Sequence, residues 1–319
     1  MDDECIPRLI EDRLREMTGF NRKVIHWQLR RRTLELGQRT LVMGIVNITP
    51  DSFSDGGRFL DPEAAIEHGL RLLDEGADLL DLGAESTRPG SSAVSAYGPA
   101  LSTEEEQARL LPVLEGILRE RPDAVISVDT YKAATARAAL MAGAEIVNDV
   151  SGLGWDAEMA RACAEARCGV VLMHTRGRPE EWGSQLPLGP DEMLATVREG
   201  LSASMTKAVA AGIPLESIVL DPGYGFGKRF EENYFLLARQ AELLELGRPL
   251  LAGVSRKSFL GRTLAPLHGG SDAPVGARET ASLAAMTAAI LKGASIVRVH
   301  AARQAAEAAR IADAVMAGG

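Results

Sequence analysis

The sequence is short of aromatic residues, cysteine and positive charge, and each shortage excludes a class of protein. Phe, Trp and Tyr make up only 4% of the 319 residues, which argues against nucleic-acid binding by base stacking. A net charge of −9 argues against a surface for nucleic acid or anionic membrane. The three cysteines are too few and too irregularly spaced for a disulfide framework or a thiolate zinc site.

Long apolar runs are also missing. No run reaches the length that a bilayer-spanning helix needs, and the acidic first residues lack the apolar core of a signal peptide. We therefore expect a cytoplasmic protein with no nucleic-acid partner and no membrane partner. The basic run at residues 30–32 is interpreted as a solvated face. With 46% hydrophobic residues the chain can fill a large core, so disorder is excluded.

Beyond residue 40 the chain alternates short apolar segments with longer segments of helical periodicity. The predicted strands are residues 41–47, 78–83, 124–129, 145–148, 169–174, 217–221, 250–254 and 295–300. The predicted helices are residues 62–75, 103–120, 132–142, 191–211, 232–246, 280–292 and 301–316. Ser102 followed by Glu105 is a capping-box pattern, which marks the start of one of these helices.

Strands that alternate with helices predict a parallel sheet of the α/β class, and eight such units predict a closed (β/α)₈ TIM barrel. An open doubly wound sheet is the alternative, but no dinucleotide-binding glycine pattern opens the first helix. We expect residues 41–319 to form the barrel as a single domain. Residues 1–40 are then a short N-terminal extension, a candidate cover for the bottom of the barrel.

Polar residues follow the predicted strands at the ends where TIM barrels carry their active sites. Any one of them is more often a helix cap or turn residue than a functional group. Their appearance at every strand favours a common site. These residues are Asn47, residues 85–88, Asp129, Asn148, Asp149, His174, Asp221, residues 255–258, Arg298 and His300.

Two long loops and one glycine-rich segment are candidate functional motifs. Residues 48–60 and 84–101 are long, polar loops, and long βα loops in compact domains tend to be functional. Residues 223–228 resemble a phosphate-binding loop, but their spacing fits neither the nucleotide nor the dinucleotide pattern.

Cationic residues come from the last two predicted strands, the usual phosphate-binding part of TIM barrels. Lys257, Arg298 and His300 would suit an anionic leaving group, which Arg can hold in fork geometry. Asn47 offers a hard oxygen that, with phosphate oxygens and water, could hold Mg²⁺.

Acceptors and an amide come from other strands. Asp129, Asn148 and Asp221 would form a buried polar ring, and buried carboxylates need donors as partners. Such a ring suits a flat heterocycle with amino and lactam edges.

From about residue 41 to the C-terminus, the motifs in their order resemble the dihydropteroate synthases, a family of pterin-binding TIM barrels in folate biosynthesis. The motifs that carry this resemblance are residues 43–57, 85–90, 127–130, 148–152, 221–228, 255–261 and 298–300. The resemblance implies a transferase that condenses 6-hydroxymethyl-7,8-dihydropterin pyrophosphate with 4-aminobenzoate to 7,8-dihydropteroate and pyrophosphate, by a dissociative, Mg²⁺-assisted reaction. It also implies a homodimer.

Matching positions carry the family's roles over, residue by residue. The pterin would be bound by Asp129, Asn148, Asp221, Lys257 and Arg298. Pyrophosphate would be bound by Asn47, Arg88, Arg298 and His300, with Mg²⁺ on Asn47. The 4-aminobenzoate would be bound by Thr87, Pro89, Phe226 and Ser258. The catalytic residues would be Asp55, Lys257 and Arg298, of which Asp55 is expected to stabilise the cation and receive the amine proton.

The chain departs from the family pattern at two places. Thr175 and Arg176 follow His174 where the family commonly has Met and Gln, and Ala301 follows His300 where Asp is common. We therefore hold open whether His174 is functional or structural. No insertion of the kind that marks sulfonamide-insensitive relatives stands beside the aminobenzoate residues, so sulfonamide sensitivity is a hypothesis. The alternative functions are another pterin-binding barrel, such as a methyltetrahydrofolate methyltransferase, and a non-catalytic pterin-binding barrel.

Overall fold

The computed structural model describes residues 22–49, 62–85 and 101–318 and shows a closed barrel of eight parallel strands. These strands follow one another around the barrel in chain order, and the last closes it by pairing with the first. The predicted (β/α)₈ TIM barrel is confirmed. The strands are β3 (Leu41–Asn47), β4 (Leu79–Gly83), β5 (Ile126–Asp129), β6 (Ile146–Asp149), β7 (Gly169–Met173), β8 (Ile218–Asp221), β9 (Leu250–Ala252) and β10 (Ala294–Val299).

Helices surround the barrel and cover the outer faces of its strands. The predicted capping box is confirmed at the start of the helix Thr103–Glu120. The Ser102 hydroxyl accepts from the Glu105 backbone N–H, and the Glu105 carboxylate accepts from the Ser102 backbone N–H. None of the helices within these described ranges is long and apolar enough to cross a bilayer. The helices are α1 (Pro62–Asp74), α2 (Thr103–Glu120), α3 (Ala133–Ala142), α4 (Met159–Ala166), α5 (Pro190–Ala210), α6 (Phe230–Arg239), α7 (Ser258–Thr263), α8 (Glu279–Leu291) and α9 (Ala302–Ala317).

The helical periodicity does not reveal α4 or α7, and it predicts one continuous helix over residues 232–246. The α4 and α7 helices have only 8 and 6 residues, so neither shows enough turns for an apolar period to be visible. The segment at 232–246 is an α-helix only as far as Arg239 and continues as a 3₁₀ helix over Gln240–Leu246.

The interior of the barrel has an apolar lower layer to which every strand contributes. Side chains along a strand alternate between its faces, so every second residue points into the barrel. This apolar layer consists of Leu41, Met43, Leu79, Val125, Ile146, Val171, Val219, Leu251 and Ile296, which form one buried cluster. The next inward positions along the strands lie above this layer, at the carboxyl ends, and several of them are polar.

A β-hairpin outside the predicted elements packs against this lower layer. Strands β1 (Ile25–Gln28) and β2 (Thr33–Leu36) pair antiparallel, and Trp27, Leu29 and Leu36 are buried in the same apolar cluster as the barrel residues. The Trp27 indole N–H donates to the Ser217 carbonyl at 2.9 Å, just before β8. The hairpin therefore covers the amino-terminal end of the barrel, opposite the polar strand ends.

The basic run at residues 30–32 lies at the surface, with Arg30 and Arg31 exposed as a solvated face requires, and it also contacts a buried carboxylate. Glu145 is fully buried, and the Arg32 Nε and the Arg31 backbone N–H lie 2.9 and 3.1 Å from its carboxylate. Arg30 donates to the Leu140 carbonyl. The sequence could not indicate this packing because Glu145, the partner of the run, is more than a hundred residues away in the chain.

Candidate active site

Arg298 is the centre of a polar network at the carboxyl ends of the barrel strands. Its Nε donates to Asp81 Oδ2 at 2.5 Å, and its Nη2 donates to Asp129 Oδ2 at 2.7 Å. Asn148 Nδ2 reaches the same Asp81 oxygen at 2.9 Å. The structure thus brings together three predicted site residues, from β10, β5 and β6, and joins them through a fourth residue that was not predicted.

Asp81 was missed because it lies inside an apolar strand rather than at a strand end. It is fully buried on β4, two residues after Leu79 of the apolar layer, so strand alternation points both side chains into the barrel. The same two-residue step leads from Ile146 to Asn148. A signal was present in the sequence, since an aspartate within an apolar strand must find a buried donor.

Asp129 is set to exchange a proton near neutral pH. Burial raises its pKa to about 7, and the Asp81 carboxylate acts in the same direction. The positive charges of Arg298 and Lys257 oppose this rise. Asp129 can therefore meet a ligand either as an acceptor or, when protonated, as a donor.

Asp221 ends β8 on the other side of the barrel mouth. Burial raises its pKa, although the Gly223 N–H donates to Oδ1 at 2.7 Å and the nearby Lys257 charge also lowers that pKa. A Cβ at Gly253 would lie 3.6 Å from its other carboxylate oxygen. Glycine at position 253 therefore places no side chain against this carboxylate.

Lys257 lies over the ring of Phe226, with its Nζ 4.0 Å from the ring centroid. The preceding residue, Arg256, has a left-handed φ of 56°, which is unusual outside glycine. Its backbone N–H donates to Ser282 Oγ at 2.8 Å, and its Nε donates to Glu279 Oε2 at 2.9 Å. These contacts with α8 hold the turn that presents Lys257.

Two further predicted residues lie close to this turn. Ser258 is exposed and is the first residue of α7, directly after Lys257. His300 follows β10, and its Nδ1 is 2.9 Å from the hydroxyl of the buried Ser255. Cationic and hydrogen-bonding groups of the last two strands thus share one side of the barrel mouth.

Lys228, the last residue of the glycine-rich segment 223–228, turns its side chain back under that segment. Its buried Nζ donates to the carbonyls of Gly223 (2.7 Å), His174 (3.2 Å) and Phe226 (3.3 Å). Burial lowers its pKa to about 7. The lysine therefore shapes the loop that carries Phe226 and does not point outward to a phosphate.

Asn47 ends β3 beside Gly83 and is half-buried. Within residues 22–49, 62–85 and 101–318, no group of three or more His, Cys, Asp or Glu is placed to hold a metal ion. Mg²⁺ commonly takes only one or two protein oxygens, together with substrate phosphates and water. The Asn47 amide oxygen would suit a Mg²⁺ ion whose other ligands are diphosphate oxygens and water.

His174 has a structural position. Its ring packs against α5, where a Cβ at Gly200 would lie 2.5 Å from His174 Cδ2. Burial, reinforced by the charges of Lys228 and Arg176, lowers its pKa well below the usual value. Its buried Nδ1 has no hydrogen-bond partner in the part of the chain that the structure describes. The neutral ring therefore acts in packing.

Of the residues to which the resemblance assigns binding or catalytic roles, Asp55, Thr87, Arg88 and Pro89 lie outside the described residues, as does most of both long loops. The other residues with assigned roles lie at or beside the carboxyl ends of the strands. The carboxylates and amide of the barrel mouth can recognise a flat ring with several N–H donors, and its cationic side can bind an anionic group.

The chain is similar to known proteins over most of its length. The family model described as pterin binding enzyme matches residues 43–300. The dihydropteroate synthase of Mycobacterium leprae is 44% identical over 272 residues, which are 85% of this chain and 91% of that protein.

Two solved structures are similar over nearly their whole length. The Xanthomonas albilineans dihydropteroate synthase with 4-aminobenzoic acid has a TM-score of 0.79 and 41% identity, and the match covers 92% of this chain and 99% of that one. The Yersinia pestis dihydropteroate synthase with a sulfonamide drug complex has a TM-score of 0.81 and 38% identity, covering 92% and 100%.

Proposed function

The chain belongs to the pterin-binding enzymes and, within them, to the dihydropteroate synthases, which are transferases, and on this premise we propose the reaction that it catalyses. It joins 6-hydroxymethyl-7,8-dihydropterin pyrophosphate to 4-aminobenzoate and releases pyrophosphate. The observation that carries this proposal is the hydrogen-bonded network of Arg298, Asp81, Asp129 and Asn148 at the carboxyl ends of the strands.

The pterin is bound within this network. Its amino group and ring N–H groups donate to the carboxylates of Asp129 and Asp221, and Asn148 can pair with an edge that carries both a donor and an acceptor. Arg298 lies across the same space, where its planar guanidinium can stack on the ring. Because Asp221 is buried and Asp129 is only 20% exposed, an analogue without these donors would lose hydrogen bonds that water cannot fully replace, and would bind poorly.

The pyrophosphate is bound on the cationic side of the mouth, by Arg298, His300 and Asn47, with Arg88 contributed by the second loop. Asn47 would hold Mg²⁺, which when bound neutralises part of the diphosphate charge. Side chains of the protein supply the remaining positive charge. This charge stabilises the diphosphate more strongly as the C–O bond lengthens, because negative charge then builds up on the leaving group.

The reaction exchanges one bond for another at the pterin methylene carbon. The C–O bond to pyrophosphate breaks first and leaves a pterin-methyl cation, which the nitrogen of 4-aminobenzoate then attacks. The new C–N bond forms, and the nitrogen gives up one proton. Asp55 stabilises the cation and receives this proton, whereas Lys257, held between the two substrates, orients the pterin.

The 4-aminobenzoate lies against the Phe226 ring, flanked by Thr87 and Pro89. Its carboxylate lies near Ser258, whose hydroxyl is exposed and can donate to it. The X. albilineans enzyme was solved with 4-aminobenzoic acid and the Y. pestis enzyme with a sulfonamide drug complex, which supports a shared amine site in this chain as well. We propose that sulfonamides inhibit by competing with 4-aminobenzoate, and unchanged turnover at high sulfonamide concentration would contradict this.

The deciding experiment measures pyrophosphate release from the pterin pyrophosphate. We expect release only when both 4-aminobenzoate and Mg²⁺ are present. Release that does not depend on 4-aminobenzoate would indicate hydrolysis and reject the condensation. Methyl transfer, the alternative, releases no pyrophosphate at all.

Two variants test the assigned roles. Lys257→Ala and Asp55→Ala are each expected to lower kcat/KM by on the order of 100-fold while the circular dichroism spectrum stays unchanged. Lys23→Ala, at an exposed lysine beside the hairpin, is the control and should behave like the parent protein. Near-normal turnover of both site variants would reject these assignments.

We also propose that the chain forms a homodimer through the α8–α9 face. These two helices pack together, and α9 exposes Ile311 and Val315, four residues apart on one face. Light scattering after gel filtration should give twice the chain mass, and Ile311→Glu should give the monomer. A monomeric parent protein would refute the proposal.

A further inference from the structure

The segment 175–188, which follows β7, packs against the loop that carries Phe226. The rings of Trp182 and Phe226 meet edge to face, with centroids 5.5 Å apart and an angle of 90° between the planes. The Trp182 indole N–H donates to the Thr175 hydroxyl at 3.3 Å and to the Gly177 carbonyl at 3.2 Å. Both acceptors lie in the same segment, so the segment itself holds Trp182 in place.

Arg176 ties this segment to α6 through a buried ion pair. Its Nη1 lies 3.3 Å from the Glu232 carboxylate, and the two side chains are only 8% and 2% exposed. Its Nη2 donates to the Leu186 carbonyl at 2.9 Å. Glu232 also accepts the Leu188 backbone N–H at 2.8 Å. Breaking a buried pair of this kind is costly, so the segment has a defined position relative to the barrel.

The contact between the segment and the Phe226 loop is close enough to require glycine. Gly227 has a φ of 66°, and a Cβ there would lie 2.8 Å from both Arg176 Cβ and Trp182 Cδ1. Any other residue would have to displace one of them. The position of Phe226 therefore depends directly on the segment beside it.

The Phe226 ring is thus held by two residues from different loops. Lys257 lies over it with Nζ 4.0 Å from the ring centroid, and Trp182 meets it edge to face. Thr175 and Arg176, which are the first of the two departures from the family pattern, hold Trp182 and its segment. This departure therefore forms a structural unit with Trp182.

We propose that Trp182 is a positioning residue for the amine substrate. By holding the Phe226 ring it sets the wall against which 4-aminobenzoate packs, and it has no role in binding the pterin pyrophosphate. This inference rests on the proposed function, because it assumes that Phe226 contacts the aminobenzoate ring.

The test compares Trp182→Leu with Trp27→Phe in the full-length protein, by steady-state kinetics with each substrate varied in turn. Trp27 is buried against the lower layer of the barrel, away from the segment 175–188, and is the matched control. We expect Trp182→Leu to raise the KM for 4-aminobenzoate about 3- to 10-fold, with kcat and the KM for the pterin pyrophosphate within about twofold. Trp182→Phe, which keeps an aromatic ring, should raise the KM for 4-aminobenzoate less.

Thr175→Val removes the acceptor of the indole N–H at nearly constant volume and should shift the same KM by a smaller factor. An unchanged KM for 4-aminobenzoate in Trp182→Leu, or an equal change for both substrates, would overturn the inference while leaving the proposed function intact. If Trp182→Leu does not fold, Trp182→Phe and Thr175→Val decide by the same criterion. A parent protein that makes no product from the two substrates would instead overturn both.

Discussion

Arg298 and Asp81 come from strands β10 and β4, and their side chains meet at 2.5 Å inside the barrel mouth, where the carboxylate is fully buried. The same oxygen of Asp81 also accepts from Asn148. Asp81 thereby sets the positions of two groups proposed to bind the pterin, although it lies beneath them and is sealed from solvent.

Asp81→Asn is expected to lower kcat/KM for the pterin pyrophosphate by about 10- to 100-fold. Arg298 loses one of its two ionic partners, and the Asn148 amide then faces an amide that also carries donors. The control is Asp78→Asn, which alters a partly exposed aspartate paired with Arg39 on the outside of the barrel. Steady-state kinetics of both variants would show the contrast. Equal effects from the two substitutions would remove Asp81 from the site.

Asp129 should make the free energy of unfolding depend on pH. Its folded pKa of about 7 lies above the ordinary value of 3.8, so between these pH values the folded protein keeps a proton that the unfolded chain has released. Its contribution to the free energy of unfolding therefore decreases as pH rises through this window. Urea unfolding at several pH values should show this slope in the parent protein and a smaller slope in Asp129→Asn; equal slopes would contradict the raised pKa.

Ser255→Ala removes the hydroxyl that meets His300 Nδ1 at 2.9 Å. We expect the KM for the pterin pyrophosphate to rise about 3- to 10-fold, since a neutral hydrogen bond contributes about 1 kcal/mol. The KM for 4-aminobenzoate should not change. Ser202→Ala, at an exposed serine on α5, controls for the substitution type. If only the KM for 4-aminobenzoate changed, the assignment of His300 to pyrophosphate binding would be wrong.

Trp27→Ala should affect stability without affecting catalysis. The side chain is fully buried against the lower layer of the barrel, far from the polar strand ends, so its loss should cost about 3–5 kcal/mol in the free energy of unfolding. At temperatures where the variant remains folded, kcat/KM should match the parent protein. His26→Ala, on the exposed face of the same strand, should cost little. Lost turnover in folded Trp27→Ala would show that the hairpin reaches the active site.

The barrel could be predicted from the sequence because its information is local. A strand buried on both faces is a mainly apolar run such as residues 41–47, and a regular alternation of strands and helices favours parallel pairing. Parallel strands bring their carboxyl ends to one side, which is why Asp129, Asn148 and Arg298 could be placed together before any contact was known.

Contacts between residues distant in the chain could not be predicted in this way. The pairing of Arg298 with Asp81 joins residues 217 positions apart. The basic run at 30–32 contacts the buried Glu145, which is also distant in the chain. Lys228 resembles a phosphate ligand in sequence, but the loop folds over it and turns its ammonium group toward carbonyls.

The sequence by itself therefore determined the barrel, the order of its strands and the end at which chemistry takes place, because strand and helix periods are properties of neighbouring residues. Only the tertiary structure decided which buried charge pairs with which, because a buried charge is stable only beside a partner and the fold alone determines which distant residue comes within hydrogen-bond distance.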